Sequence, residues 1–215
     1  MIKSFKVKLH PNNKQKTRMH QTAGAVRFAY NWALEKQQIN YKNGGKFIHD
    51  YNLRKEFTQL KHLPEYSWLY NTSNIASSYA VKDACTAFIN FFNKLANYPK
   101  FKSKKNNQSF YQSVAKIKIT STHIKLEKLS PNLRKNKQKL NWVKLAEKDR
   151  IPFGKDVKYL NPRVTFDGID WWVSVSIDYP NKNTIPTNPG IGIDLGIKNL
   201  AICSDENTYS NINKS

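Results

Sequence analysis

The spacing of apolar residues along this chain changes twice, and this limits its possible folds more than any other feature. Residues 2–9 alternate, with Ile2, Phe5, Val7 and Leu9 assigned to one face, which predicts a half-exposed β-strand. Helical spacing then continues to about residue 97, and alternation returns after Tyr98. The early strand must therefore find its partners across a helical insertion. We predict an α+β fold, a small β-barrel interrupted by a helical lobe.

Three helices are predicted in the insertion. Pro11-Asn12-Asn13 ends the strand and offers a cap for a helix to about Ile39, Asp50 can cap a second helix, and Ser73 opens a third. The side chains predicted to face the core are Met19, Ala23, Val26, Tyr30 and Ala33 in the first helix, Leu53, Phe57 and Leu60 in the second, and Val81, Cys85, Phe88, Phe92 and Leu95 in the third.

Short strands are predicted in the second half of the chain. KIKITSTHIKL alternates like a hairpin, and Asp167-Gly168 stands between two alternating apolar runs, which is a strong hairpin signal. Pro180 to Pro189 is a polar, proline-punctuated stretch that predicts a linker. A second domain is expected to begin near Ile191.

The charge of the chain indicates a polyanionic partner. The formal net charge is +21 and the pI is about 9.9, so self-repulsion favours binding of nucleic acid first and of an anionic membrane second. The charge is uneven: residues 100–163 carry 18 Lys and Arg against 4 Asp and Glu, whereas residues 164–215 carry 3 against 6. The basic centre therefore predicts the binding region.

Composition also limits the compartment and the metal chemistry. Cys85 and Cys203 are the two cysteines, which permits neither a disulfide framework nor a Cys-x-x-Cys zinc site. The sequence shows neither a signal-peptide core nor an apolar run long enough to span a membrane. We therefore expect a cytoplasmic protein without a membrane partner.

A basic and aromatic cluster follows the predicted helices. Cations alternate there with rings, a combination that neutralises phosphates and stacks on bases, as RNA-binding surfaces do. The alternative is an ordinary basic loop over a hydrophobic anchor. The cluster contains Lys100, Lys102, Lys104 and Lys105 with Tyr98, Phe101, Phe110 and Tyr111.

Three cations on the first predicted helix form a second candidate surface. Arg18, Arg27 and Lys36 are assigned to nucleic-acid binding, although the exposed face of an amphipathic helix carries such charges without any ligand. A helix-turn-helix DNA reader is the other alternative. Against it, the segment between Asn40 and His49 is longer than the 3–4-residue turn of that motif.

Asp194 places a carboxylate inside the apolar stretch IGIDLG. An unpaired buried carboxylate costs several kcal/mol, so a cation or hydrogen bonds are expected to neutralise it, and this makes Asp194 a candidate metal ligand. Two alternatives remain open, a hydrogen-bonded strand Asp without metal and a phosphate-loop Asp of an actin-like ATPase. Two-metal chemistry needs several acids, and only Asp205 and Glu206 follow.

Five segments together resemble the N-terminal half of TnpB-type proteins, transposon-encoded relatives of type V CRISPR effectors. They are FKVKLHPNNKQ, AVRFAYNWAL, YPKFKSKKNNQSF, DGIDWWVSVSID and GIDLGIKNLAICSDE, in family order. The resemblance implies an oligonucleotide-binding wedge barrel (1–10 and 98–182), a helical recognition lobe (11–97) and the start of a RuvC-type, ribonuclease-H-like nuclease (190–215). It also implies a guide RNA from the transposon end, a double-stranded DNA target and Mg²⁺, with Asp194 as the first catalytic carboxylate.

The sequence departs from the family pattern after Asp194. The family's second catalytic acid, its Cys-x-x-Cys zinc ribbon and its final Asp have no counterpart before Ser215. We therefore expect a truncated relative of the RNA-guided DNA endonucleases, with weak or no Mg²⁺ binding and no cleavage on its own. The alternatives are a nuclease-dead RNA- or DNA-binding protein and a conventional transposase or regulator that works without RNA.

Overall fold

The computed structural model describes residues 2–105, 108–130, 139–178 and 190–211. The chain divides into two compact units, residues 1–179, here the larger unit, and residues 180–215, here the smaller unit. The predicted linker from Pro180 to Pro189 lies outside the described residues. In the part of the chain that is described, no helix is both long and apolar enough to cross a membrane.

Helices α1 (Asn13–Lys42), α2 (Asp50–Leu60) and α3 (Asn74–Phe92) confirm the three predicted helices, and a 3-10 helix, Pro64–Asn71, lies between the last two. The start of α1 is a capping box. The Asn12 carboxamide accepts the Gln15 N–H at 3.0 Å and the Gln15 side chain accepts the Asn12 N–H at 2.9 Å, which satisfies two exposed backbone donors. Ser73 caps α3 as predicted, accepting the Ala76 N–H at 3.2 Å.

Four predictions about single residues were wrong. The cap of α2 is His49, without a side-chain hydrogen bond, because Asp50 is already helical and pairs with Arg54 at 2.9 Å. Ile2 is 64% exposed because its position has the opposite parity to Phe5, Val7 and Leu9. At the end of α3, Phe92 is 47% exposed where α1 also ends, and Leu95 is 75% exposed because the helical spacing stops before it.

The larger unit contains a seven-stranded antiparallel sheet, which confirms the α+β class. In sheet order its strands are β2 (Gln108–Tyr111), β6 (Tyr159–Phe166), β7 (Trp171–Asp178), β1 (Ile2–His10), β5 (Trp142–Leu145), β4 (His123–Lys125) and β3 (Lys118–Ile119). Both predicted hairpins are present, as β3–β4 and β6–β7. Across the described ranges β2 and β3 remain the two edges, so these residues form an open sheet rather than the closed barrel that was predicted.

The first strand occupies the middle of this sheet. Val7 of β1 lies opposite Val173 of β7, and Leu9 lies opposite Leu145 of β5. Helix α1, which follows β1 directly, packs back on the sheet: the Gln15 amide donates to the carbonyls of Leu140 and Trp142 at 3.0 and 2.8 Å. One hydrophobic core joins side chains from all three helices and from the sheet. The orientation of α1 is therefore fixed at its first turn.

The β6–β7 hairpin is closed by a dense hydrogen-bond pattern at its turn. The Asp167 carboxylate accepts the N–H groups of Ile169 and Asp170 at 2.9 and 2.7 Å and the indole N–H of Trp172 at 2.7 Å. Gly168 follows at φ +110°, a conformation that glycine adopts without strain. These hydrogen bonds lower the pKa of Asp167 from 3.8 to about 2, the Asp170 N–H contributing most.

The turn is expected to be sensitive to acid in a defined range. Because the folded pKa of Asp167 is depressed, its contribution to stability is complete above the ordinary pKa near 3.8 and is lost as the pH falls through about 2. A carboxyl NMR titration should therefore give Asp167 a midpoint near 2. Trp172→Phe, which removes one donor, should raise that midpoint. A wild-type midpoint near 3.8 would contradict the turn geometry.

The smaller unit is a three-stranded antiparallel sheet. Strands β8 (Ile193–Asp194), β9 (Asn199–Cys203) and β10 (Thr208–Ser210) lie in the order β8-β9-β10.

Candidate nucleic-acid interface

A groove lies between α1 and the 3-10 helix of the larger unit. Its volume is about 730 Å³, within the range of roughly 300–1,000 Å³ that small-molecule sites have. We call it the α1 groove. Its lining includes five aromatic rings and three charged side chains: Phe28, Trp32, Tyr66, Trp68 and Phe101 with Arg18, Arg27 and Glu35.

Helical spacing places these α1 residues on one face. Arg18, Gln21, Ala25, Phe28, Trp32 and Glu35 follow one another at steps of three or four, so they form a single stripe along the helix. The opposite stripe, which includes Met19, Val26 and Ala33, is buried in the core. In the groove stripe Ala25 is fully buried and the other side chains are half-buried or exposed, so the groove lies along a partly open face of α1 while the opposite face anchors the helix.

The rings of the α1 groove support one another. Phe28 lies 5.7 Å from Tyr66 and 5.6 Å, edge-on, from Trp68, measured between ring centroids. Trp32 packs at 5.2 Å against Phe57, which is buried. Trp68 nevertheless keeps 41% of its surface exposed. These contacts hold the rings in place and leave ring surface open to a ligand.

Two hydrogen bonds tie the basic and aromatic cluster to α1. The Asn31 side-chain amide donates to the Lys102 carbonyl at 3.0 Å, and the Lys102 N–H donates to the Asn31 side-chain oxygen at 2.8 Å. This pair, the Asn31 clamp, brings Phe101 to the α1 groove. The structure therefore brings the basic and aromatic cluster next to the helix that carries the second candidate surface, which the sequence predicted separately. The sequence contained no signal for the Asn31 clamp itself.

Lys102 differs from its neighbouring lysines. Its ammonium lies 4.0 Å from the centroid of the Tyr30 ring, and burial lowers its pKa, with Arg163 acting in the same direction and Asp83 against it. Lys100, Lys104 and Lys105 are exposed. The geometry therefore gives Lys102 a packing contact and leaves the other three side chains accessible to a phosphate.

Two rings of the cluster lie inside the protein. Phe110 is 1% exposed and belongs to the core, and Tyr111 is 6% exposed. The Tyr111 ring stacks on Tyr79 at 3.7 Å, and burial, together with the hydrogen bond that the Tyr111 hydroxyl donates to Tyr79, raises the pKa of Tyr111 to about 12. One ring face of Tyr111 is therefore covered, whereas Phe101 in the same segment is 52% exposed.

The three predicted helix cations all lie along the α1 groove or beside it. Arg18 donates to the Gln21 side chain at 3.1 Å, and Arg27 is half-buried. Lys36 pairs with Glu56 at 3.4 Å and lies 5.7 Å from the ring centroid of Trp32. An exposed pair of this kind contributes only about 0–1 kcal/mol, so it leaves Lys36 available to a stronger anion.

Asp194 lies in β8 opposite Ile202 and is exposed. Asp205 accepts hydrogen bonds from the backbone and side chain of Asn207. The described ranges contain no group of three or more His, Cys, Asp or Glu able to hold a metal ion. Mg²⁺ is usually held by one or two carboxylates together with substrate phosphates.

Comparison with known proteins gives a consistent group of relatives. A family model described as "Helix-turn-helix domain" (HTH_OrfB_IS605) matches residues 1–46. The "Putative RNA-guided DNA endonuclease InsQ" of Escherichia coli (strain K12) is 28% identical over 216 residues, 99% of this chain and 50% of that protein. A "Putative RNA-guided DNA endonuclease" of Streptomyces pristinaespiralis is 24% identical over 212 residues, 97% of this chain and 50% of that protein. The chain thus spans half the length of these two curated relatives.

Two further similarities are shorter or weaker. The "Virulence protein VsdF" of Salmonella dublin is 31% identical over 113 residues, 48% of this chain and 95% of that protein. A chain of the Cas12f1-sgRNA-target DNA complex superposes with a TM-score of 0.41 at 14% identity, covering 98% of this chain and 56% of the other.

The matched segment does not contain the short turn of a helix-turn-helix. Residues 2–46, all of them described, contain one strand and one helix, and the seven residues 43–49 separate α1 from α2, more than the 3–4 residues of that turn.

Proposed function

This chain is a TnpB-type protein, and from that premise we propose that its larger unit binds a guide RNA and a double-stranded DNA target. The names of the two curated relatives, both called putative RNA-guided DNA endonucleases, indicate these two partners. The net charge of +21 supports the same partners, because a strongly cationic protein attracts polyanions such as nucleic acids. We further propose that the protein works in the cytoplasm, where a transposon-encoded nuclease would meet both partners.

The Asn31 clamp is the observation that supports the proposal best. It holds the segment that carries the exposed Lys100, Lys104 and Lys105 against α1 and brings Phe101 into the groove that Arg18 and Arg27 line. Such a surface supplies phosphate neutralisation and stacking planes together, the combination with which proteins bind structured and single-stranded RNA.

We propose the following domain roles. The open seven-stranded sheet corresponds to the wedge barrel of the family, and the helices to its recognition lobe. The smaller unit corresponds to the first strands of a RuvC-type nuclease domain, with Asp194 as its first carboxylate. In this role Asp194 would act together with further acidic ligands, as two-metal chemistry requires.

The RNA part of the proposal is tested by removing exposed cations of the clamped segment. Lys104 and Lys105 replaced together by Ala should weaken binding of a structured RNA, because each phosphate contact removed lowers the electrostatic gain. Lys42 and Lys55, exposed on the helices and outside the clamped segment, provide the matched double Ala control, which should bind nearly as the wild type does. Equal losses in both variants would contradict a localised RNA surface.

Asp194 should act in cleavage and not in binding. We expect Asp194→Ala to leave RNA affinity unchanged within about twofold, because one exposed carboxylate contributes little beside many cations. In a chain extended to the length of the two curated relatives, the same substitution should abolish guide-dependent cleavage. Cleavage retained by the extended Asp194→Ala protein would remove Asp194 from the catalytic role.

A further inference from the structure

We propose that the α1 groove takes an unpaired nucleobase of a single-stranded RNA segment, stacked against Trp68 and Phe101. This rests on the proposed function and adds to it a site for one base. Trp68 and Phe101 are 41% and 52% exposed, and both line the groove. A base has a π-face that stacks on such rings whatever its identity, so the site does not require a particular sequence.

The charges around the α1 groove fix the direction of the ligand. Arg18 and Arg27 line it, and both attract the phosphates on either side of a base. Glu35 also lines it, is exposed and repels phosphate. A nucleotide therefore lies with its phosphates toward the two arginines and its base over the rings. The same charges do not favour an apolar peptide, because the ligand must be anionic to offset the arginines.

Gly24 is the second observation that points to a ligand. It lies inside α1, where glycine has a lower helix propensity than alanine, and it lines the groove. A Cβ placed on Gly24 meets no atom within 4 Å, so crowding by the protein does not explain the glycine. A flat ligand that approaches the helix backbone does explain it, since a methyl group there would occupy the space of the ligand.

The ligand is RNA rather than DNA because of the amides that border the rings. The side chains of Gln21 and Asn71 line the groove and are both exposed. Asn71 offers amide donors and an acceptor, and Gln21, whose oxygen accepts from Arg18 at 3.1 Å, offers its amide donors. Both match a ribose 2′-hydroxyl, the group by which proteins distinguish the two nucleic acids. A DNA strand of the same sequence lacks that group and is expected to bind less tightly.

The test uses the full chain and a labelled single-stranded RNA of about five nucleotides, near the lower limit of the about 4–16 nucleotides that single-strand-binding folds cover. Trp68→Ala should weaken binding by about 5- to 150-fold, the loss of one stacked base. Tyr51→Ala is the matched control, an exposed ring on α2 outside the groove, and should leave binding unchanged.

Gly24→Ala keeps the test decisive if Trp68→Ala disturbs the fold. This variant should raise the melting temperature by about 1–4 °C through better helix propensity and should still weaken RNA binding. If Gly24 had only a structural role, the substitution would raise the melting temperature without weakening RNA binding. Affinity unchanged in both Trp68→Ala and Gly24→Ala, or DNA binding as tight as RNA, would overturn the site. In that event structured RNA would still bind if the proposed function holds, whereas failure to bind any RNA would overturn the function itself.

Discussion

Phe88→Ala is expected to lower the free energy of unfolding of the larger unit by about 3–5 kcal/mol. Phe88 lies in α3, is 3% exposed and contacts the rings of Phe92 and Tyr98. Truncation removes a ring from the shared core and leaves a cavity that the helices and the sheet do not refill, so both the lost transfer energy and the cavity contribute. In a domain of this size the loss corresponds to a fall in melting temperature of roughly 6–20 °C.

Phe92 provides a matched control on the same helix. It is the same residue type one turn later, but it is 47% exposed at the end of α3. Phe92→Ala should therefore cost less than about 1 kcal/mol, as exposed substitutions usually do. Urea denaturation of both variants measures the difference. Equal losses in the two variants would show that the boundary of the core near the end of α3 is misplaced.

The sequence predicted those parts of the fold whose signals are local. Ser73 as a cap, the helical spacing of Met19, Val26 and Tyr30 and the turn at Asp167 each depend on a few neighbouring residues, and all three were confirmed. Phe92 failed for a physical reason. Periodicity identifies the face on which a side chain lies, but it does not say where the packing partner, here α1, comes to an end.

The candidate site was less accessible from the sequence, because tertiary contacts assemble it. The two sets of cations could be identified by composition, but the Asn31 clamp that unites them joins residues far apart in the chain. Neither the apolar spacing nor the charges near Trp32 and Trp68 in the sequence show whether these rings line a groove or pack in the core. Conversely, the neighbouring lysines made Tyr111 a predicted nucleic-acid-binding residue, and only the structure shows that its ring is buried against Tyr79.

Binding of RNA through many phosphates has a second large consequence, a steep dependence on salt. Each phosphate contact releases condensed counterions, so the logarithm of the binding constant falls with the logarithm of salt concentration at a slope of about −0.7 to −0.9 per contact. The exposed Lys100, Lys104 and Lys105 with Arg18 and Arg27 offer about five such contacts in the described surface. Affinity should therefore fall by roughly two orders of magnitude between about 50 and 200 mM salt.

A titration of structured RNA at several salt concentrations in that range tests the central claim most directly. The account predicts a steep linear dependence for the wild-type chain and, for the Lys104→Ala, Lys105→Ala double variant, a slope that is shallower by about one per lysine removed. The Lys42, Lys55 double control should keep the wild-type slope. A wild-type affinity that hardly changes between about 50 and 200 mM salt would contradict RNA binding through this surface.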